Sequence, residues 1–203
     1  TLTEVHTFAK QVTRWLDTQD VKLIAIACTT ASAAALHQLR QTFPYTPFVG
    51  MEPAVKPAVR ITRTGTVGVL ATETTFQGEM FASLVDRCAR DITVLTQACP
   101  GLVELVEEDK HDSPSARVLL QRYTQPLVDA GADTLVLGCT HYSFLKTQLQ
   151  DVVGPSVTII DSAPAVADQV ARLLNEKGLV RSESKEAVGP ILVFTTDRRH
   201  ATQ

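Results

Sequence analysis

Apolar residues are distributed along the chain in two alternating patterns. Seven short runs rich in Val, Ile, Leu and Ala, several of them nearly continuous, predict parallel strands buried on both faces. Six stretches with apolar residues at helical spacing lie before and between these runs. The predicted strands are Val21–Cys28, Pro47–Met51, Val67–Thr72, Ile92–Cys99, Thr134–Cys139, Val157–Asp161 and Ile191–Thr196. The predicted helices are Leu2–Leu16, Ala31–Thr42, Thr74–Ala89, Ser113–Ala130, Tyr142–Val152 and Pro164–Glu176.

Strands that alternate with helices predict a layered α/β fold with mainly parallel sheets. Two segments share one pattern, because Leu23–Thr30 and Leu135–His141 are each a hydrophobic strand that ends in Cys-Thr and leads into a helix. We therefore predict two pseudo-symmetric three-layer α/β halves with an active site in the cleft between them. The first half is assigned to residues 1–62 plus 165–203 and the second to residues 63–164, and the polar stretch Gly178–Gly189 is predicted to be a surface loop.

Composition narrows the possible functions. The chain has 203 residues, of which 44% are hydrophobic and 20% charged, as is ordinary for a globular protein. A formal net charge of −3 argues against a nucleic-acid binder with a broad basic surface. No apolar run approaches the ~20 residues of a membrane span, so no membrane partner is predicted. Four scattered cysteines argue against a disulfide scaffold and indicate a reducing, cytoplasmic location.

Cys28 and Cys139 are each predicted at the carboxyl end of a parallel strand, just before a helix. Ligands of parallel α/β sheets bind beyond these strand ends, and helix N-termini favour anions. The same positive field lowers the pKa of a thiol, so we expect both cysteines to ionise readily. The residues that follow them add hydroxyl groups and an imidazole that can exchange a proton with Cys139: Thr29, Thr30, Thr140 and His141.

Two thiols on opposite sides of a cleft are suited to inversion of configuration at a carbon atom. One sulfur, as a thiolate, removes a proton from the carbon, and the other, as a thiol, delivers a proton to the opposite face. This reaction needs no cofactor. The helix N-termini would hold carboxylates of the substrate and stabilise the negative charge that develops in the transition state.

Other interpretations of the cysteines are weaker. A cysteine at the end of a buried strand is most often an inert packing residue. We also interpret Cys88, on a predicted helix, and Cys99, before Pro100, as packing residues, because neither is followed by a Thr and a helix start. Zinc is disfavoured because the chain has no Cys-x-x-Cys pair and His141 lies too close to Cys139 in sequence. A cysteine hydrolase that uses Cys139 and His141 is disfavoured because residues two apart at such a turn rarely point at each other, and no third orienting group is apparent.

Five blocks of sequence follow one another along nearly the whole chain. They are Ala27–Ala33 (ACTTASA), Gly50–Ala58 (GMEPAVKPA), Leu70–Thr75 (LATETT), Cys99–Pro100 with Leu105–Glu108 (LVEE), and Leu137–Tyr142 (LGCTHY). Together they resemble the glutamate racemase family of the cofactor-independent aspartate/glutamate racemase superfamily. The resemblance implies an isomerase that interconverts L- and D-glutamate without a cofactor or metal, supplies D-glutamate for bacterial peptidoglycan, and is often a homodimer.

The resemblance also implies roles for single residues. Cys139 matches the thiol that acts on L-glutamate, Cys28 matches the thiol that acts on the D-enantiomer, and His141 matches the acid/base partner of Cys139. Glu107 is implied to lie near the substrate ammonium group, with a solvated helix-end acid as the alternative. The residues expected to bind substrate are Thr29, Thr30, Thr72, Thr75, Thr140 and Glu107.

The chain departs from the family pattern in three places. Thr29 stands where the family has Asn, and a hydroxyl offers fewer fixed donors than an amide. The family's first strand, with its Asp-Ser pair and a Pro-Tyr-Gly loop, is absent, and the last helix is cut short after Arg198–Gln203. We therefore expect a piece of a longer protein that folds poorly and shows little racemisation by itself.

Two other classes of function stay open. One is a related enzyme, such as an aspartate racemase, or a decarboxylase or isomerase that works with one cysteine, although the presence of both Cys28 and Cys139 favours two-faced proton transfer. The other is a non-catalytic remnant that binds an amino acid.

Overall fold

A computed structural model of the chain describes residues 1–77, 79–89, 91–181 and 189–196. The helices are α1 (Leu2–Asp17), α2 (Thr29–Thr42), α3 (Val55–Ile61), α4 (Glu73–Phe76), α5 (Glu79–Cys88), α6 (Leu102–Glu107), α7 (Pro114–Asp129), a 3₁₀ helix (Thr140–Leu145), α8 (Lys146–Val153) and α9 (Ala163–Glu176). The strands are β1 (Ile24–Ala25), β2 (Phe48–Val49), β3 (Thr66–Ala71), β4 (Thr93–Ala98), β5 (Thr134–Leu137) and β6 (Thr158–Asp161).

The larger sheet has four parallel strands in the order β4-β3-β5-β6. Successive side chains of a strand point to opposite faces, so the central strands supply two cores. On one face Leu70, Leu135 and Leu137 pack with α6, α7 and α8. On the opposite face Val67 and Val69 pack with α3 and α5. This sheet is therefore the middle of three layers, which explains the continuous apolar runs of its strands.

The smaller sheet pairs β1 with β2 in parallel. Its core contains Ile24 and Phe48 from the strands and Ala35 and Leu39 from α2, with α1 packed against α2. After β6 in the larger sheet, the chain returns to this smaller sheet, because α9 lies against β2. The prediction of an α/β fold with parallel sheets is confirmed, whereas the exact division into halves stays a prediction.

Several predicted elements are corrected by the structure. The predicted strands Val21–Cys28 and Pro47–Met51 form only the two-residue strands β1 and β2, since strand length depends on the partner strand. The predicted strand Ile191–Thr196 is wrong, because this segment has no ladder partner among the described residues, and Ile191 is 93% exposed. Trp15, on α1, is 40% exposed, and its ring contacts that of Phe194.

Two of the predicted helices differ from those observed, and two short helices are additional. The single predicted helix Thr74–Ala89 is two helices, α4 and α5, and the intervening sequence contains Gly78, a poor helix former. The predicted helix Tyr142–Val152 begins earlier, as the 3₁₀ helix, before it continues as α8. The short helices α3 and α6 are not predicted by the pattern. Most of the predicted loop Gly178–Gly189 lies outside the described residues.

Candidate active site

Cys28 is the N-cap residue of α2. Its backbone is extended, and its Sγ accepts a hydrogen bond of 3.4 Å from the N–H of Ala31, one of the free donors of the first helical turn. The Cys28 side chain is exposed. This sulfur is thus open to solvent and is held where the first-turn N–H groups point, as predicted from its place between strand and helix.

Cys139 occupies the equivalent position at the N-cap of the 3₁₀ helix, but it is half-buried. Burial raises the pKa of the Cys139 thiol above its usual value. The negative charge of Cys28 adds to this rise, and hydrogen bonds from the backbone of His141 and Tyr142 oppose it without reversing it. The expectation of a lowered pKa is therefore wrong for Cys139, because burial outweighs the field of the helix N-terminus.

Cys139, His141 and Glu107 form a line of polar contacts. The Cys139 Sγ lies 3.8 Å from His141 Nδ1, and His141 Nε2 lies 2.5 Å from a carboxylate oxygen of Glu107, the last residue of α6. The sequence argument that residues two apart do not face each other, and that no third group is present, is thus wrong. Cys139 is the N-cap residue and His141 the second residue of the same 3₁₀ helix, and their side chains meet beside its first turn.

Hydroxyl groups at the start of α2 contact residues that follow the carboxyl ends of β5 and β3. The Thr29 hydroxyl is buried and donates a hydrogen bond of 2.9 Å to the carbonyl of Gly138. The Thr30 hydroxyl lies 3.5 Å from that of Thr75, which is 2.9 Å from that of Thr72. The remaining predicted residue, Thr140, is the first residue of the 3₁₀ helix and is half-buried.

Gly138 is a position to which sequence reasoning assigned no role. Its N–H donates to the Leu70 carbonyl at 2.7 Å, and a Cβ added to it would lie 2.9 Å from both the Leu70 oxygen and the Ala71 Cβ. The backbone before Cys139 is therefore pressed against β3 and fixed there. A glycine at the end of a predicted strand, next to a candidate catalytic residue, is the signal that indicates such a close approach.

Two cavities flank this group of residues. One, of about 10 Å³, has room for about one water molecule and is lined by Thr29 and Thr75 together with Glu52 and Phe81. The other, of about 310 Å³, is lined by Glu107, His141 and Phe144.

Within the described parts of the chain, no group of three or more His, Cys, Asp or Glu side chains is placed to hold a metal ion. No helix in the same residues has the length and apolar character needed to cross a membrane.

Comparison with known proteins identifies relatives of the chain. Residues 2–170 match the family model described as Asp/Glu/Hydantoin racemase. A glutamate racemase from Roseiflexus sp. (strain RS-1) is 51% identical over 179 residues, which are 88% of this chain and 66% of that protein. A glutamate racemase from Pseudomonas syringae pv. tomato is 54% identical over 164 residues, which are 81% of this chain and 60% of that protein. The chain thus spans less than two thirds of the length of these curated relatives.

Among solved structures, the fold is similar to that of Escherichia coli glutamate racemase in complex with L-glutamate and the activator UDP-MurNAc-Ala. The TM-score is 0.77 at 32% sequence identity, and the match covers 86% of this chain and 66% of that chain.

Proposed function

The chain belongs to the Asp/Glu/hydantoin racemase family, and on that premise we propose that it is the two-cysteine part of a glutamate racemase. The observation that carries the proposal is the pair of cysteines at two helix N-termini, whose neighbours Thr29 and Gly138 are joined by a hydrogen bond of 2.9 Å. Relatives named glutamate racemase at 51% and 54% identity support glutamate, rather than aspartate, as the substrate.

The proposed reaction moves one proton off the α-carbon and another onto it. In the L-to-D direction the Cys139 thiolate takes the α-proton, and the electron pair of the broken C–H bond stays on the carbon, delocalised into the carboxylate. The Cys28 thiol then donates its proton to the opposite face, which forms the new C–H bond. The cycle ends with Cys139 as a thiol and Cys28 as a thiolate, and solvent exchange resets them.

His141 is placed to deprotonate the Cys139 thiol. Since burial raises the pKa of this thiol, a base must remove its proton before it can act. We assign this task to His141 Nδ1, 3.8 Å from the sulfur. Glu107 accepts the hydrogen bond of the other ring nitrogen, which keeps Nδ1 free as an acceptor and stabilises the imidazolium that forms.

The substrate carboxylates are assigned to the helix N-termini that follow the two cysteines, where free N–H groups favour anions. The hydroxyl groups assigned to polar contacts with substrate are those of Thr30, Thr72, Thr75 and Thr140. Glu107 is assigned to His141 instead of the substrate ammonium group, because its carboxylate is already bonded to the imidazole.

The test follows α-proton exchange and inversion together. The 203-residue chain is incubated with L-glutamate in heavy water, and α-deuterium is read by NMR while circular dichroism of glutamate reports inversion. Slow exchange with inversion is expected, and Cys28→Ala and Cys139→Ala should each abolish inversion. Cys88→Ala, which changes a half-buried cysteine on α5, is the matched control. A folded chain without any exchange, or inversion unchanged in either single variant, contradicts the proposal.

The line of Cys139, His141 and Glu107 also favours a second candidate, a hydrolase in which Cys139 attacks an acyl carbon and His141 acts as the base. This chemistry needs only one sulfur. Cys28→Ala therefore separates the two functions, because a hydrolase keeps its full rate of thioester cleavage in this variant, whereas a racemase loses inversion.

We propose a cytoplasmic location and a homodimeric assembly. Free cysteines in the described residues, one of them exposed, support a reducing cytoplasm. A homodimer is proposed from the resemblance of the chain to its family, and sedimentation of the purified chain tests it.

A further inference from the structure

One hydrogen bond joins the two loops that carry the sulfurs. Thr29 directly follows Cys28, Gly138 directly precedes Cys139, and the Thr29 hydroxyl donates to the Gly138 carbonyl at 2.9 Å. Resting on the function proposed above, we propose that Thr29 is a positioning residue that sets the separation of the two reacting sulfurs.

Both ends of this hydrogen bond are fixed in place. Thr29 is the first residue of α2, is 5% exposed, and has a β-branched side chain with few rotamers. Gly138 is held by its own N–H, which donates to Leu70, and has no room to move toward β3. The hydrogen bond therefore connects two fixed backbone positions, and it fixes the position of Cys28 relative to Cys139.

The hydroxyl of Thr29 can donate one hydrogen bond, and the Gly138 carbonyl accepts it. Thr29 is thus removed from the group expected to donate to substrate, although it stands where the family pattern has Asn. The neighbouring contact between Thr30 and Thr75 is longer, at 3.5 Å, and joins two rotatable hydroxyls, so it constrains the spacing less.

Inversion requires both sulfurs to reach the same carbon atom, whereas exchange at one face requires only one of them. A misplacement of about 1 Å between reacting groups can cost on the order of 100-fold in rate. Loss of the Thr29 bond should therefore slow inversion more than it slows exchange, and this difference distinguishes positioning from a loss of stability.

The experiment compares Thr29→Val, which keeps the shape and removes the hydroxyl, with Thr29→Ser, which keeps the hydroxyl. The matched control is Thr124→Val, because Thr124 is 1% exposed and donates a hydrogen bond of 2.8 Å to a carbonyl within its own helix, α7. Inversion, α-proton exchange in heavy water, KM and thermal stability are measured for each variant.

We expect Thr29→Val to lower kcat for inversion by about 10-fold or more with little change in KM, and to raise the ratio of exchange to inversion. Thr29→Ser should restore the ratio, and Thr124→Val should lose stability without changing it. A raised KM at unchanged kcat would show that Thr29 binds substrate and overturn the proposal. A Thr29→Val variant that loses only stability, as the control does, would overturn it equally.

Cross-linking of the two cysteines tests the positioning role of Thr29 without measuring racemase activity. In a Cys88→Ala background, dibromobimane joins two thiols only when they are close together, and mass spectrometry identifies the pair. Thr29→Val should reduce the yield of the Cys28–Cys139 cross-link several-fold, even if the chain does not racemise glutamate. An unchanged cross-link yield would refute the positioning role of Thr29. A reduced yield in a chain that shows no α-proton exchange would refute only the proposed racemase function.

Discussion

Replacement of Asp133 by Asn tests how the segment before β3 is fixed to β5, the strand that leads to Cys139. The Asp133 side chain is 11% exposed, and its two oxygens accept four hydrogen bonds. The donors are the Thr62 hydroxyl at 2.6 Å, the Arg63 and Thr64 backbone N–H groups at 2.7 and 3.2 Å, and the Thr134 hydroxyl at 3.0 Å. An Asn side chain turns one acceptor into a donor and cannot satisfy this set.

The pKa of Asp133 gives the magnitude of the effect. Burial by itself would raise the pKa of this carboxyl, but the four hydrogen bonds outweigh burial and lower it from 3.8 to about 2. Each whole step in pKa corresponds to about 1.4 kcal/mol, so the ionised group contributes about 2 kcal/mol to the free energy of unfolding at neutral pH. Because the folded-state pKa is lowered, this contribution is complete above the unfolded value near 3.8 and is lost as pH falls toward 2.

Urea unfolding followed by far-UV circular dichroism measures the difference between Asp133→Asn and the original chain at several pH values. The expected difference is about 2 kcal/mol at pH 7 and decreases between about pH 4 and pH 2. The control is Asp86→Asn, which changes an exposed carboxylate in the middle of α5. A difference no larger than that of the control, or one that is independent of pH over this range, would refute the reasoning.

Three further outcomes are expected. Glu107→Gln weakens the charged contact with the imidazole, so inversion of glutamate followed by circular dichroism should slow, while Glu108→Gln, which loses an exposed ion pair, should leave its rate unchanged. Gly138→Ala places a Cβ 2.9 Å from the Leu70 carbonyl oxygen of β3, so it should lower the melting temperature in thermal unfolding. A variant as stable as the original would contradict the close approach of Gly138 to β3. In alkylation followed by mass spectrometry, exposed Cys28 should react first, and Cys99 should remain unmodified because burial raises its pKa to about 12; early modification of Cys99 would contradict its burial.

The larger sheet was predictable because its strands are buried on both faces. Val67–Thr72 and Thr134–Cys139 were placed within two residues of β3 and β5 from their apolar runs alone. The run Val21–Cys28 is just as apolar, but only two of its residues form a ladder, since pairing depends on a neighbouring strand that the local pattern does not describe. The short helix α6 has too few turns to show a helical period.

The positions of the two cysteines were predictable for a local reason, because each follows a strand and begins a helix. The contacts that define their chemistry are not local. Glu107 reaches His141 from a helix that the pattern did not predict. Thr29 donates to a backbone carbonyl, and because every residue has one, the sequence gives no sign of which residue accepts the hydrogen bond. The direction of the pKa change at Cys139 depends on burial, which only the packed structure gives.

The strands that lead to the two sulfurs are paired differently. Cys139 follows β5, which is paired on both sides by β3 and β6, whereas Cys28 follows β1, which among the described residues is paired only with β2. In the reaction proposed above, we therefore expect Cys28 to be displaced more readily than Cys139.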